Sequence, residues 1–249
     1  MRTAVRLLVV CLLSVVLVVA PVTYREAEAQ SGWTLYDNFN SLLIDPTKWV
    51  GGEEIDPTLP PPQGALEIFR ALVAGELTMY NRVIGNPVDG NIIFHNIRLG
   101  VRYPDSVRAM QAKVNVRRHQ LTECPQALGG SGVQVRLNGI WFNTATPTPG
   151  SFENDVVARI DIYRSEPSSD PPGVFRVRAR VFRYLDPAGF NWEFAGNLDL
   201  GTVNVGQSTI YSIRWDESTA RFYFRMGANL EVYIAYPWTP NSAASMPRK

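Results

Sequence analysis

Histidine and cysteine are scarce in this chain of 249 residues, which holds two of each. Cys11 falls in the N-terminal apolar run, so Cys124 has no partner for an internal disulfide once that run is removed. His95 and His119 lack the spacing of a zinc site and are interpreted as ordinary strand-end or surface residues. Cys124 is interpreted as an inert thiol, with pairing to another molecule or a nucleophilic role as the alternatives. These absences exclude a disulfide-stapled fold and a patterned zinc centre.

The first 29 residues have the pattern of a secretory signal peptide. Arg2 and Arg6 precede an apolar run over residues 7–20, and Ala27-Glu28-Ala29 offers a small-x-small cleavage site. Cleavage after Ala20 is the alternative. The run is shorter than the roughly 20 apolar residues that a membrane span requires. We therefore predict a signal peptide at 1–29 and a secreted, periplasmic or extracellular protein without a membrane anchor after cleavage.

The chain also has no large excess of charge of either sign, since 24 Lys and Arg residues balance 23 Asp and Glu residues. Removal of the leader takes three basic and two acidic residues and leaves 21 of each. A net charge near zero argues against a general nucleic-acid binder. Lysine occurs only at positions 48, 113 and 249, so the basic residues are nearly all arginine. Arginine binds carboxylates bidentately, although genomic base composition explains the same bias.

After the leader, period-two alternation takes the place of helical periodicity. Apolar and polar residues alternate over 133–138, 155–164 and 174–184, so each predicted strand buries one face. Shorter β-prone runs lie at 65–71, 76–84, 91–97 and 107–116. A slip between Ala109 and Ala112 predicts a β-bulge, and Gly139 is expected to redirect its strand. The pattern predicts an all-β sandwich or barrel.

The 220 residues left after cleavage fit one β-sandwich domain, which we assign to 30–240. A proline-rich loop at 57–62 interrupts the strand pattern without dividing the chain. Residues 241–249 show no periodicity and are predicted to form a flexible C-terminal tail.

Two segments near the ends of this domain carry a distinctive pattern of aromatic and acidic residues. The first is Tyr36-Asp37-Asn38-Phe39-Asn40 with Ile44-Asp45-Pro46-Thr47-Lys48-Trp49, and the second is Tyr211-Ser212-Ile213-Arg214-Trp215-Asp216 with Arg221-Phe222-Tyr223-Phe224. They resemble the opening and late hairpins of the concanavalin A-like lectin/glucanase superfamily. The resemblance implies a jelly-roll sandwich of two antiparallel sheets, with structural roles for Trp33, Trp49 and Trp215.

Hydrolases of that superfamily carry Glu-x-Asp-x-x-Glu or Glu-x-Asp-x-Glu on one strand, where alternate residues point into the same cleft. The comparable strand reads Arg159-Ile160-Asp161-Ile162-Tyr163-Arg164, with Arg159 and Tyr163 or Arg164 at the glutamate positions. Glu54-Ile55-Asp56 is followed by prolines and no second glutamate, and the Gln-x-His and Tyr-Lys-x-Gly-x-Tyr motifs of alginate lyases are missing. We predict no catalytic residue.

A binding face is the remaining candidate site. Polar residues occupy alternate positions along three predicted strands, and a fourth row of polar residues is expected to adjoin them on one sheet. The four rows are Gln134/Arg136, Arg159/Asp161/Tyr163, Arg176/Arg178/Arg180, and Arg214 with Arg221/Tyr223/Arg225. Arginine forks with interleaved tyrosines suit an acidic or hydroxyl-rich glycan. The alternative is a solvated sheet whose arginines pair with Asp161 across strands. Trp192 either stacks on a sugar ring or belongs to the core. The predicted ligand-binding residues are Arg136, Arg159, Asp161, Tyr163, Arg178 and Trp192.

The expected function is an exported, non-catalytic glycan-binding or adhesion module for a polysaccharide or cell-surface glycan. Two alternatives stay open: a divergent glycoside hydrolase or polysaccharide lyase with its acid and base on other strands, and a structural extracellular protein. No cofactor and no metal ligand is predicted. The resemblance alone adds a structural calcium at Asp37 or Asp216 as an alternative.

Overall fold

The computed structural model describes residues 33–55, 66–83, 95–101, 107–121, 131–141 and 151–238. These ranges form twelve strands and no helix. In chain order they are β1 (Trp49–Ile55), β2 (Leu66–Val73), β3 (Glu76–Val83), β4 (His95–Val101), β5 (Ala109–Asn115), β6 (Ser131–Trp141), β7 (Val156–Glu166), β8 (Val174–Tyr184), β9 (Trp192–Asn204), β10 (Ser208–Asp216), β11 (Arg221–Met226) and β12 (Val232–Ala235). The predicted signal peptide, the loop at 57–62, Cys124 and the predicted tail lie outside the described residues.

All the strand pairs are antiparallel. The first sheet has the order β12-β11-β10-β5, and the second sheet has the order β6-β7-β8-β9. Two smaller sheets, β1-β4 and β2-β3, come from the N-terminal part of the chain. The all-β prediction is confirmed, and the arrangement is consistent with a β-sandwich. Within the described ranges, no helix is long and apolar enough to cross a membrane.

The core lies between the first and second sheets. One face of each sheet supplies buried apolar side chains that form a single cluster, which includes Trp141, Ile160 and Val177 from the second sheet and Tyr211, Ile213, Trp215, Phe222 and Phe224 from the first. The Trp141 ring of one sheet lies 5.3 Å from the Phe222 ring of the other, in an edge-on contact. The alternation in the sequence therefore selects which face of each strand joins the core.

Gly139 has a packing role in β6 instead of redirecting the strand. Pairing with β7 continues without a shift through Gly139 and Ala158 to Trp141 and Val156. A Cβ atom at Gly139 would lie 2.0 Å from two ring carbons of Trp141 and 2.6 Å from the terminal methyl of Met110. The missing side chain therefore lets the Trp141 ring fold over its own strand.

The bulge predicted within β5 is wrong. β5 pairs with β10 from Ala109 opposite Arg214 to Asn115 opposite Ser208, without a shift of register. Met110, and not Ala109, packs against the core beside Val114. The alternation is regular once the flexible methionine is counted among the inward residues.

The two segments that carry the family resemblance differ in structure. The later one is the predicted hairpin, in which Asp216 lies opposite Arg221 and Trp215 opposite Phe222. The opening one is not a hairpin, because residues 33–48 contain no strand. They form an aromatic turn in which Trp49 donates its ring N–H to Asp37 Oδ2 at 2.7 Å and stacks on Phe39 at 5.4 Å.

Candidate functional site

The face of the second sheet that points away from the core carries three rows of polar side chains, which we call the arginine face. The strand register places Gln134, Tyr163 and Arg176 in one row, Arg136, Asp161, Arg178 and Asp199 in the next, and Asn138, Arg159, Arg180 and Asn197 in the third. Residues directly opposite each other on neighbouring strands share a face, as do alternate residues along one strand, so the three rows form one continuous surface.

Asp161 is at the centre of this surface and contacts four arginines. Its Oδ1 lies 3.2 Å from Nε of Arg159 and 3.6 Å from Nε of Arg136. Its Oδ2 lies 3.3 Å from Nε of Arg178 and 3.5 Å from Nε of Arg180. The Asp161 side chain has no exposed surface, whereas the exposed fraction of the four arginine side chains ranges from 16% to 43%. A single buried carboxylate thus holds four partly exposed guanidinium groups together.

The cluster contains more donors than acceptors. A carboxylate offers about four lone-pair sites, and each guanidinium carries five N–H donors. Arg178 donates a hydrogen bond to Asp161 Oδ2, but the buried Nε groups of Arg159 and Arg180 and the buried Oδ1 of Asp161 make no hydrogen bond within the described part of the chain. Burial lowers the pKa of Arg159 and of Arg180, while Asp161 acts on each in the opposite direction. Both remain cations at neutral pH, because arginine stays protonated in proteins.

Aromatic rings hold the guanidinium planes in place. The central guanidinium carbon of Arg178 lies 4.0 Å from the ring centre of Tyr163, that of Arg159 lies 5.0 Å from Phe182, and that of Arg180 lies 6.0 Å from Phe194. These are distances of cation–π attraction. Tyr163 therefore acts on the cluster by orienting Arg178.

Beyond its third row the face becomes aromatic. Phe182 lies opposite Phe194, and Tyr184 lies opposite Trp192 at the end of the β8-β9 hairpin. Phe182 is buried, whereas Phe194 and Trp192 are 50% and 51% exposed. We call Phe194 and Trp192 the aromatic ledge. Asp186 Oδ2 accepts the Asn191 N–H at 2.6 Å and so fixes the turn that leads into the ledge.

The opposite end of the face is electrically balanced. Arg176 donates from Nε to Asp170 Oδ2 at 2.6 Å and from Nη2 to Asp170 Oδ1 at 2.9 Å. These two residues line a small recess with Tyr163 and the turn at 165–169. The buried Arg164 also lines the recess and donates to the Pro171 and Val174 carbonyls at 2.9 and 3.0 Å. The unbalanced positive charge is therefore confined to the middle of the face.

All six residues predicted to bind a ligand lie on this one face. Arg136, Arg159, Asp161 and Arg178 meet within the cluster, Tyr163 orients Arg178, and Trp192 lies at the aromatic end. Trp192 begins β9, as the core alternative assumed, but it is half exposed and does not belong to the core. The pairing of arginines with Asp161 is present as well.

The fourth row of the prediction does not adjoin the other three. Arg214 lies on β10, and Arg221 and Arg225 lie on β11, all in the first sheet. There Arg214 donates to Glu231 at 2.9 Å, and Arg221 stacks over the Tyr233 ring at 4.0 Å. Alternation along a strand shows which face a residue takes but not which sheet the strand joins, and that explains the error.

Two participants were not among the predicted site residues. Arg180 contacts Asp161 from the third row, and Phe194 forms half of the aromatic ledge. A signal for Arg180 was present, because it continues the alternation of Arg176 and Arg178 along β8. Phe194 lies on the arginine face because the register of β8 and β9 shifts between Val181 and Phe182, and the sequence did not reveal this shift.

The cluster can bind anions better than it can transfer protons. A retaining glycosidase needs two carboxyl groups about 5–5.5 Å apart, one to attack and one to exchange a proton. Both oxygens of Asp161 contact guanidinium groups, and the flanking same-face positions of its strand hold Arg159 and Tyr163.

Asp37 and Asp216, the two aspartates considered for a calcium ion, accept local hydrogen bonds. Asp37 accepts one from Trp49, and Asp216 accepts one from Ser218. The described residues contain no group of three or more His, Cys, Asp or Glu side chains arranged to hold a metal ion.

In comparisons with known proteins, the chain matches no protein family model, no curated protein and no solved structure.

Proposed function

We propose that this chain is an exported, non-catalytic glycan-binding module of concanavalin A-like, jelly-roll fold, and that the arginine face with its aromatic ledge is the binding surface. The observation that carries the proposal is the juxtaposition of exposed aromatic rings with guanidinium groups whose N–H donors outnumber the acceptors. Sugar rings have apolar C–H faces that pack on aromatic side chains and hydroxyl oxygens that accept hydrogen bonds, so this face offers both contacts that a glycan needs.

The geometry also favours binding over catalysis. Asp161 is enclosed by four cations, so a proton donor for a leaving group would have to come from another part of the protein. The cross-strand pairs hold the arginines on three neighbouring strands of a sheet, which is a rigid support for a binding surface. A module of this kind would attach the protein, or its cell, to a polysaccharide or a glycan coat.

The test is binding of the predicted mature chain, residues 30–249, to a panel of immobilised polysaccharides and a glycan array. We expect retention on at least one glycan and a loss of about fivefold in affinity for Trp192→Ala, because one stacked ring contributes on the order of 1 kcal/mol. Leu230→Ala is the matched control, since Leu230 is exposed but precedes β12 in the first sheet. Absence of binding to every glycan would overturn the proposal.

Incubation with the same panel separates the proposal from its rivals. Release of reducing ends, or absorbance from an unsaturated product, would identify an enzyme instead of a binding module. Retention of another protein together with indifference to all glycans would indicate a structural role.

A further inference from the structure

The centre of the arginine face has an excess of positive charge. Arg136, Arg159, Arg178 and Arg180 surround one carboxylate, so three positive charges are left over. Asp199, exposed in the same row, reduces the excess to two, but its Oδ1 accepts the Gly201 N–H and it forms no ion pair with a residue in the described ranges. The chain as a whole is close to neutral, with a formal charge of +1. The excess is therefore local to this face.

Holding this charge in place costs stability. Arg159 and Arg180 lie directly opposite each other on β7 and β8, and like charges in that position repel. Both guanidinium groups are mostly buried, with 16% and 17% of their side chains exposed. Local costs in stability of this kind are typical of functional sites. A bound anion would relieve both the repulsion and the shortage of acceptors.

The aromatic ledge restricts which anion fits. Arg180 lies over the Phe194 ring, and Phe194 and Trp192 present exposed rings at the next two positions along β9 on the same face. Successive residues on one face of a strand are about 6.6 Å apart. A simple inorganic anion would leave the ledge uncovered, whereas an anion carried on a ring would cover it. The ligand should thus combine negative charge with an apolar ring face.

We infer that the ligand of this face is an anionic glycan, whose carboxylate or sulfate groups bind Arg159 and Arg180 and whose sugar ring packs on Phe194 and Trp192. This inference rests on the proposed function and narrows it to one class of polysaccharide. Asp161 is a positioning residue in this arrangement: it orients the arginines and does not touch the ligand.

The experiment measures affinity for matched charged and uncharged polymers with calorimetry. Polygalacturonate and its fully methyl-esterified form share a backbone and differ in charge, and chondroitin sulfate and laminarin add a sulfated and a neutral polymer. We expect binding to a charged polymer, weakened by added salt because the contact is ionic and partly exposed. Arg159→Met and Arg180→Met should each weaken it by roughly tenfold or more, the value of a charge-assisted hydrogen bond.

Arg214→Met is the matched control, because it removes one positive charge from the opposite sheet and should leave affinity within about twofold. Circular dichroism and thermal melting confirm that each variant is folded. Equal binding of neutral and charged polymers would overturn the inference while the proposed function stands. Equal losses in Arg159→Met and Arg214→Met, or equal affinity for single-stranded DNA, would show non-specific charge attraction and overturn it as well. Binding to none of these polymers would overturn the inference, and the proposed function would fall with it only if the wider glycan panel also showed no binding.

Discussion

Arg159 and Arg180 are cross-strand partners, and each approaches a different oxygen of Asp161, at 3.2 and 3.5 Å. Two like charges face each other on a sheet because a third residue, of opposite sign and fully buried, lies beside both. This arrangement makes Asp161 the residue on which the geometry of the arginine face depends.

Replacement of Asp161 by asparagine should therefore destabilise the fold. The neutral amide leaves four guanidinium groups without their central anion, and breaking a buried charge network typically costs about 3 kcal/mol or more. The partial exposure of the arginines lets water offset some of this loss. We expect urea denaturation to show a decrease of about 2–4 kcal/mol in the free energy of unfolding.

Asp199→Asn is the control for Asp161→Asn, because Asp199 lies in the same row but is exposed. Its replacement should change stability by less than about 0.5 kcal/mol. Equal effects of the two substitutions would contradict the central role of Asp161.

Gly139→Ala should destabilise the protein through overpacking. Its Cβ would lie 2.0 Å from the Trp141 ring, and insertion of a methyl group into a filled core costs about 1–3 kcal/mol. A Cβ at Gly132 on the same strand would make ordinary contacts with the Arg164 carbonyl at 3.6 Å and Ser165 Oγ at 3.8 Å, and no other described residue lies nearer, so Gly132→Ala should be nearly neutral. Thermal melting of the two variants checks the contrast, which fails if both melt alike.

Strands β7 and β10 show which features of the site the sequence could predict and which it could not. Alternation placed Arg159, Asp161 and Tyr163 on one face, and the structure has them there. The same alternation placed Arg214 on a polar face, which is also correct, but that face belongs to the other sheet. Neighbouring strands are chosen by long-range packing, and a period of two contains no information about it.

Prediction from the sequence has the same limit for individual residues of the core. The inward positions of β7 and β8 were predictable because branched apolar residues alternate with charged ones. The sequence predicts that Gly139 redirects β6 and does not reveal its packing role, because a glycine has no side chain whose type would indicate its surroundings. Its role depends on Trp141 two positions later and on Met110 from another strand, and these contacts exist only in the folded sheets.

The pairing of Asp170 with Arg176 predicts a contribution to acid stability. The hydrogen bond from Arg176, followed by the charges of Arg176 and Arg164, outweighs desolvation and lowers the pKa of Asp170 below its usual range. The unfolded chain then binds a proton more readily than the folded one, so this contribution is complete above about pH 4 and is lost as the pH falls through the folded pKa.

Melting temperatures between about pH 5 and pH 2 should therefore fall less steeply for Asp170→Asn than for the unaltered protein. Glu153→Gln is a suitable control, because Glu153 is an exposed acid in the loop before β7 and has no ion pair with a residue in the described part of the chain. Parallel curves for Asp170→Asn and the unaltered protein would contradict the assignment.

Asp37 should stabilise the opening segment through two acceptor positions. Its Oδ1 accepts the Phe39 N–H at 2.8 Å and its Oδ2 accepts the Trp49 ring N–H at 2.7 Å, with 8% of the side chain exposed. Asp37→Ala leaves both donors without this carboxylate, at a cost of about 1–3 kcal/mol. Asn38→Ala removes only an exposed contact to the Asn40 N–H and should cost much less.

The Trp49 ring is edge-on to Tyr36 at 5.1 Å and stacked on Phe39 at 5.4 Å. Loss of the hydrogen bond to Asp37 should therefore also change the near-ultraviolet circular dichroism of the protein. An unchanged aromatic spectrum with unchanged stability would mean that the ring contacts hold Trp49 without Asp37.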